Sequence, residues 1–326
     1  MKILVTGATG FLGTNLVLQC LEQGHEVRAF GLPGSTTKYI EQPGVELTFG
    51  NVTDPTSVKL AVDGVDAVIH VAGDTSFWKK RFARQRQTNV EGPRTVMQAA
   101  LDAGIRRAIH TSTVDTFGFN PNGLADESWA EFNYAGWGYN YAETKREGER
   151  IALSFNEQGL EVVVINPGSM IGPYDHTLQF GRLFLDIKNG NVPGIPPSGA
   201  PWAHVAEVAK AHIAALDKWR PGEKYICGGV NATYKEVFTL IAESIDLKPP
   251  KSVFPRWVSV LFGYLAEFGA NFTGKPPSLN PGQARYMSAF PQYNSSKAIQ
   301  ELDFHIVPLH QMIADARDWY IENGFL

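Results

Sequence analysis

Tyr141 and Lys145 stand four residues apart in Tyr141-Ala142-Glu143-Thr144-Lys145. On a helix that spacing puts both side chains on one face, so the ammonium can lie beside the phenol. A free tyrosine titrates near ~10, too high for a proton shuttle at neutral pH. A neighbouring cation favours phenolate and lowers that value, which makes the pair a candidate general acid–base. Upstream, Thr111-Ser112-Thr113 follows the strand-like run Arg107-Ala108-Ile109-His110. A hydroxyl at that strand end can hydrogen-bond a reacting oxygen. By itself Tyr-x-x-x-Lys is an ordinary helix face, and its weight comes from what precedes it in the chain.

At the N-terminus Ile3-Leu4-Val5-Thr6 runs into Gly7, Gly10 and Gly13, and an apolar helical pattern follows. One glycine permits the tight turn, one admits a pyrophosphate to the backbone, and one lets helix and strand pack closely. The helix start offers unpaired N–H groups and the positive end of a dipole to phosphate. A glycine triplet between a strand and a helix is the context in which this pattern reads as a dinucleotide site.

These residues must be held by alternating elements. Strand-like runs are Ile3–Thr6, Glu26–Phe30, Glu46–Phe49, Ala67–Val71, Arg107–Thr111 and Val162–Asn166. Helical patterns at Phe11–Gln23, Ala83–Ala103 and Tyr139–Gln158 lie among them. The alternation predicts an α/β fold, a Rossmann-type doubly wound parallel sheet, with ligands at the carboxyl ends of its strands. Gly7, Gly73, Thr113 and Pro167 all follow strand ends and can converge there. Asn189 to Pro201 reads as loop, Trp202 to Leu216 as a helix and Lys224 to Cys227 as a strand. Helical segments follow near Tyr234–Ser244, Pro255–Phe272, Pro281–Ala289 and Val307–Asn323, giving a smaller, mainly helical C-terminal lobe.

At 326 residues, with 44% hydrophobic and 19% charged residues, the chain can bury a large core and is not disordered. A net charge of −4 argues against nucleic acid as a partner. Two cysteines, Cys20 and Cys227, make neither a disulfide framework nor a metal cluster, so no metal is expected. They fit a reducing compartment. The short apolar run before Gly7 predicts no leader, and no stretch reaches the ~18 apolar residues of a membrane span. The expectation is a cytoplasmic protein with a small-molecule substrate and no integral membrane segment, with a homodimer possible.

In these motifs the chain resembles the extended short-chain dehydrogenases/reductases, the NAD-dependent epimerase/dehydratase superfamily. Within it the chain is most similar to the dihydroflavonol-reductase and 3β-hydroxysteroid-dehydrogenase-like branch. The resemblance covers nearly the whole chain. Thr6–Gly13 matches the cofactor turn, Val68–Gly73 the fourth strand, and Thr88-Asn89-Val90-Glu91-Gly92 the opening of the next helix. Asn166–Pro173 matches the stretch flanking the nicotinamide, and Tyr293–Ala298 with Glu301-Leu302 a C-terminal signature.

The resemblance places the catalytic hydroxyl on Thr113, the proton donor on Tyr141 and its partner on Lys145, which also binds the nicotinamide ribose. Tyr139 is a decoy, lacking a lysine four residues on. Cofactor contacts are implied for Gly7, Thr9, Gly10, Phe11, Leu12, Gly13, Lys38, Asn51, Val52, Val71, Ala72, Gly73, Thr111, Pro167, Ser169 and Met170. The implied domains are a dinucleotide-binding unit of residues 1–169 with 202–231, and a substrate lobe of 170–201 with 232–326.

At the end of the second strand an acid would select NAD and a nearby arginine NADP. Gly31 and Leu32 occupy those positions. The missing carboxylate removes a repulsion, and Ser35, Thr36, Thr37 and Lys38 can supply donors, with Arg28 an alternative. The balance leans narrowly to NADP over NAD. Asn51 replaces a family aspartate that contacts adenine.

The reaction expected is hydride transfer between the cofactor and a ketone or aldehyde of a small apolar or aromatic substrate, in either direction. A nucleotide-sugar epimerase or dehydratase holding NAD is the enzyme alternative. Such enzymes often carry an arginine just before the segment that here is Trp202-Ala203-His204-Val205, where this chain has Gly199-Ala200-Pro201. A non-catalytic dinucleotide sensor or scaffold is the other alternative, disfavoured because Tyr141 and Lys145 are both present. Phe77, Trp78, Trp129, Phe132, Tyr134 and Trp137 suit an apolar lid.

Lys79, Lys80, Arg81, Arg84 and Arg86 read as a solvated helix face, His204 as a packing residue, and His70 as a strand residue and not a base. Asp115 and Asp126-Glu127 read as loop acids, and spacing alone does not place His176. Pro255–Phe272, with Trp257, Leu261, Phe262, Tyr264, Leu265 and Phe268, is apolar enough that burial in its own lobe is expected first. Walling a substrate pocket comes second. Contact with a membrane surface comes last, since the segment holds no basic cluster.

Overall fold

The computed structural model describes residues 1–218 and 220–326. In chain order the first half comprises β1 (Lys2–Thr6), α1 (Phe11–Glu22), β2 (Glu26–Gly31), β3 (Val45–Phe49), α2 (Pro55–Val62), β4 (Ala67–His70), α3 (Phe82–Arg86), α4 (Gly92–Asp102), β5 (Arg107–Thr111), α5 (Asn140–Ser154) and β6 (Glu161–Pro167). Then come β7 (Ser169–Ile171), α6 (Gly181–Lys188), β8 (Gly199–His204), α7 (Val205–Asp217), β9 (Lys224–Cys227), β10 (Val230–Thr233), α8 (Tyr234–Ser244), α9 (Arg256–Thr273), α10 (Pro281–Tyr286), α11 (Ser296–Leu302) and α12 (Leu309–Glu322).

Seven strands form one parallel sheet in the order β3-β2-β1-β4-β5-β6-β9. β1 lies between β2 and β4, with Ile3 opposite Val27 on one side and Ala67 on the other. The chain winds outward from β1 in both directions, so the strand order reverses there and a crevice opens beyond the carboxyl ends of β1 and β4. The expected doubly wound α/β fold is therefore observed.

Strand alternation divides the core. Ile3, Val5, Ile69 and Ile165 pack with α1 and α7 on one sheet face. Leu4, Val68, Ala108 and Val162 pack with α2 and α4 on the other. Covering on both faces is what a parallel sheet requires, and it explains why these strands read as unbroken apolar runs. A separate core of Phe184, Trp202, Val237, Ile241, Met312 and Tyr320 belongs to the C-terminal part, with a small sheet ordered β10-β8-β7. Ala298, Leu302 and Phe304 return to the main core beside α7.

Three expectations fail locally. The pattern over Ala83–Ala103 is not one helix: a π turn at Gln87–Glu91 separates α3 from α4. Gly148 of α5 packs on that turn, where a Cβ would stand 2.0 Å from the Asn89 carbonyl oxygen. Residues 199–204, expected as loop and helix start, form β8 because β7 and β10 pair with it on either side. The helix begins only at Val205, where the His204 imidazole accepts from the Ala206 N–H at 3.2 Å.

The third failure is α9. It does not bury its aromatic residues: Trp257 is 69%, Phe268 64% and Phe272 77% exposed. Its buried residues are Ser259, Gly263 and Ala270.

Candidate functional site

The glycine turn has the steric form the sequence implies. Gly7 has φ +68°, and a Cβ there would stand 2.8 Å from the Ala72 backbone. A Cβ on Gly13 would stand 2.0 Å from the Gly7 carbonyl oxygen, so β1 and α1 approach closely only because residue 13 is glycine. Gly10 caps α1 with no side-chain hydrogen bond and no acid in the first turn. The first N–H groups of the helix, at Phe11, Leu12 and Gly13, therefore have no carboxylate competing with a phosphate. Phe11 and Leu12 send their side chains into the core and offer only backbone. These features fit a dinucleotide pyrophosphate.

The Thr6 hydroxyl pairs with His70 Nδ1 at 2.7 Å and accepts from the Val71 and Ala72 N–H groups at 3.2 and 3.3 Å. It thus ties the β4 turn to β1. Gly73 follows, and a Cβ there would lie 3.9 Å from Lys145 Nζ. Gly73 thereby lies beside the lysine of α5. Asn89, in the π turn, accepts from the Asp74 N–H at 2.8 Å and donates to the Asp74 carbonyl at 3.0 Å and the Thr144 hydroxyl at 3.2 Å. That clamp ties the turn after Gly73 to α5.

Tyr141 lies in the first turn of α5 and Lys145 one turn on. Lys145 Nζ donates to the Thr111 carbonyl at the end of β5, at 2.7 Å. Its burial lowers its pKa to about 8, against the charge of Glu149. Burial raises the Tyr141 phenol above its usual range, with the Asp115 charge adding to this and the hydrogen bond to Thr113 opposing it. The lowering of the phenol expected from Lys145 is thus not observed, and the net shift is upward because Tyr141 is buried. Thr113 is buried, accepts from the Asp115 N–H at 3.4 Å and starts a 3-10 turn at Val114–Thr116. Thr111 turns its hydroxyl to His212 Nε2 at 2.8 Å, so only its backbone meets the lysine.

Below the pair lies a polar network that the motif reading missed. Glu149 accepts from the Thr116 hydroxyl and from Asn166 Nδ2, both at 2.8 Å, and Asn166 also donates to the Thr113 carbonyl at 3.0 Å. Its signal was present: Tyr141, Lys145 and Glu149 continue one four-residue spacing. Asp115, read as a loop acid, is buried and accepts from the Tyr139 hydroxyl at 2.8 Å. Burial raises its carboxyl to about 6. His70 and His110 stack at 5.4 Å, and burial lowers His70 to about 3, so that imidazole is neutral and unsuited as a base.

An aromatic wall faces Tyr141. Tyr139 stacks on Tyr286 at 4.7 Å and on Phe77 at 5.9 Å, and Phe77 stands 6.3 Å from the Tyr141 ring. Tyr134, Phe132, Phe119 and Trp137 continue the cluster. Trp129 departs from expectation, packing instead with Val114 and Phe117. Trp78 carries Lys80 and Arg81 over its ring. Arg84 pairs with Asp74 at 2.8 Å and Arg86 with Glu147 at 2.5 Å.

At the far end, Gly31 closes β2 beside Thr9, whose Cγ2 would lie 2.9 Å from an added Cβ. Arg28 is turned away, bonding the Ala61 carbonyl and pairing with Glu46 at 3.0 Å, which removes it as a phosphate ligand. Lys38 is exposed over the Tyr39 ring, and Tyr39 packs against Tyr174, His176 and Trp319. Asn51 is exposed, its Oδ1 accepting from the Thr53 N–H at 3.1 Å, and Val52 beside it is buried. Pro167 ends β6, with Ser169 and Met170 half-buried in β7. His204 is structural, bonding Asp315 at 3.2 Å.

A parallel doubly wound sheet with a glycine turn, a helix N-terminus for phosphate and a Tyr/Lys pair at the switch point defines a dinucleotide-dependent oxidoreductase of the extended short-chain type. Comparison with known proteins agrees. Residues 3–228 match the NAD dependent epimerase/dehydratase family, and the chain belongs to that family. It is 30% identical to sterol demethylase protein B of Methylococcus capsulatus, over all of both chains. It is also 30% identical to a putative dihydroflavonol 4-reductase of Synechocystis, over 99% of this chain and 95% of that one. Among solved structures it resembles gox2253, with a TM-score of 0.85 and 30% identity over 100% and 99% of the two chains. A UDP-glucuronic acid 4-epimerase from Bacillus cereus shares the fold at 0.79 and 19% identity, over 99% and 100%. Among the described residues no helix is long and apolar enough to cross a membrane, and no cluster of metal-ligating side chains occurs.

Proposed function

We propose that the chain is an NAD(P)-dependent reductase that interconverts a carbonyl and an alcohol on an apolar substrate. The observation that carries this reading is the place of Tyr141, its phenol in reach of the Thr113 hydroxyl and its ring 6.3 Å from Phe77 and 6.2 Å from Tyr139 in the aromatic wall. Such a wall favours a ring or aliphatic body over a diphosphate. Residues 199–201, where a sugar-diphosphate enzyme would need a cation nearby, are buried in β8. The names of relatives support the same chemistry, among them a 3-beta-hydroxysteroid dehydrogenase and a 2-alkyl-3-oxoalkanoate reductase.

The cofactor supplies the hydride, or takes it in reverse. Thr113 donates a hydrogen bond to the carbonyl oxygen and fixes it against Tyr141. Tyr141 gives that oxygen a proton as the carbon is reduced, so carbonyl, hydride and proton yield the alcohol. The phenol is protonated at neutral pH, as a donor requires, and the charge developing on the substrate oxygen draws its proton. Lys145, anchored on Thr111, holds the ribose side of the cofactor and the charge balance of the pair. Gly7, Gly10 and Gly13 hold the pyrophosphate, and Val71–Gly73, Pro167, Ser169 and Met170 bracket the nicotinamide half. Gly31, Lys38 and Asn51 meet the adenosine half, with the lean toward NADP resting on the absent acid at 31. Residues 1–169 with 202–231 serve the cofactor, and 170–201 with 232–326 the substrate.

The test is cofactor consumption, followed by absorbance, with NADPH and NADH against a panel of ketones and aldehydes and a panel of nucleotide sugars. Turnover of carbonyls with exchangeable cofactor is expected. Copurifying NAD with turnover of nucleotide sugars alone would overturn the reading.

A further inference from the structure

α9 inverts the ordinary arrangement of an amphipathic helix. Trp257, Leu261, Tyr264, Leu265, Phe268 and Phe272 recur at steps of three, four or one along it, and all are exposed. At 3.6 residues per turn they fall within an arc of about 100°. The opposite face carries Ser259, Gly263 and Ala270, and it is this small face that packs inward. The cause is close approach: a Cβ on Gly263 would stand 2.9 Å from the Asn280 backbone at the start of α10. A stripe of this size left in water marks an interaction surface.

The charges around it say what it meets. From Lys248 to Arg285 the chain holds Lys248, Lys251, Arg256, Lys275 and Arg285 against one acid, Glu267, in a protein of net charge −4. The cations flank the stripe, Arg256 at its first turn and Lys275 just past its end. A cation in the first turn opposes the helix dipole, so Arg256 is not placed there for helix stability. A second copy would bring the same cationic rim against itself, since a two-fold contact is self-complementary. An anionic lipid surface is complementary to both parts: its acyl boundary takes the aromatic stripe and its headgroups take the rim.

We infer that α9 is an interfacial helix, by which the protein docks on an anionic membrane surface without crossing it. The helix also communicates with the site. Arg285 donates to the Tyr264 hydroxyl at 2.8 Å and to the Trp137 carbonyl at 2.7 Å, and Asn280 donates to the Phe77 carbonyl. Trp137 and Phe77 belong to the aromatic wall beside Tyr141. A membrane-bound α9 thus sets the wall next to the phase in which an apolar substrate dissolves.

The test is flotation of the full-length protein with vesicles of phosphatidylcholine alone and of phosphatidylcholine mixed with phosphatidylglycerol. The protein should float with the mixed vesicles and be released by salt. Phe268→Glu with Phe272→Glu should cut binding roughly tenfold or more. Arg256→Glu with Lys275→Glu should cut it by at least roughly fivefold on the mixed vesicles. All four side chains lie outside the core, and unchanged thermal unfolding confirms that each variant folds. Absence of flotation, or equal flotation of parent and variants, overturns the inference. So does a dimer, seen by light scattering, that Phe268→Glu dissociates while vesicles stay unbound, because a second copy then covers the stripe. Flotation reads no turnover, so its failure and that of the carbonyl assay are separate results.

Discussion

The Tyr139 hydroxyl donates to Asp115 Oδ2 at 2.8 Å, inside a stack formed with Phe77 and Tyr286. The tyrosine two residues before Tyr141 is therefore committed to holding a buried carboxylate and walling the site. Of the two tyrosines at this helix start, only Tyr141 has a lysine a turn away.

Replacing each tyrosine by phenylalanine separates these roles. Tyr141→Phe should lower kcat by ~10²–10⁴, the usual cost of losing a general acid. Cofactor affinity, read by nicotinamide fluorescence, should stay nearly intact. Tyr139→Phe should lower kcat far less and instead lower the melting temperature, because it leaves Asp115 short of a donor. A fully active Tyr141→Phe enzyme would remove Tyr141 from the chemistry.

Thr113 is tested by shape against hydroxyl. Thr113→Ser keeps the donor and should retain substantial activity. Thr113→Val keeps the volume and removes the bond to the substrate oxygen, and kcat/KM should fall by at least roughly tenfold, as for a lost hydrogen bond to a charged or developing-charge group. Equal activity of the two variants would make the hydroxyl merely a cap on the turn at Val114–Thr116.

At the ribose end, Gly31→Asp should move preference from NADPH toward NADH. A carboxylate there repels a 2′-phosphate, and the ratio of kcat/KM for the two cofactors should shift by at least about tenfold. The new side chain must pass Thr9 Cγ2, so Thr9→Ala in the same chain relieves the contact. An unchanged ratio in both proteins would mean that residue 31 does not face the ribose.

Asp115 gives a pH signature. Its pKa is about 6 in the folded protein, raised by burial, against ~3.9 unfolded. Between those values the native state binds more protons, so its contribution to stability is full below about pH 4 and is lost as pH rises through 6. At ~1.4 kcal/mol per unit the ceiling is about 3 kcal/mol. Asp115→Asn should flatten the dependence of unfolding free energy on pH between 4 and 6, measured by urea denaturation. An identical slope in the two proteins would assign the titration elsewhere.

The sequence by itself determined the sheet and the turn. Ile3–Val5, Val68–Ile69 and Val162–Ile165 are apolar at every position because both sheet faces are covered, and Gly7 and Gly13 are glycine because backbone stands where a Cβ would be. It also determined that Tyr141 and Lys145 share a helix face, since that depends only on local period. Only the tertiary structure decided what depends on contacts far apart in the chain. The π turn at Gln87–Glu91 exists where Gly148 packs against Asn89, and β8 exists because β7 and β10 flank it. Burial in the folded chain raises the Tyr141 phenol above its usual range, which helix spacing by itself does not show. In α9 hydrophobicity alone would have turned the aromatic residues inward. The approach of α10 at Gly263 selected the small face instead, because close backbone contact is possible only where side chains are absent.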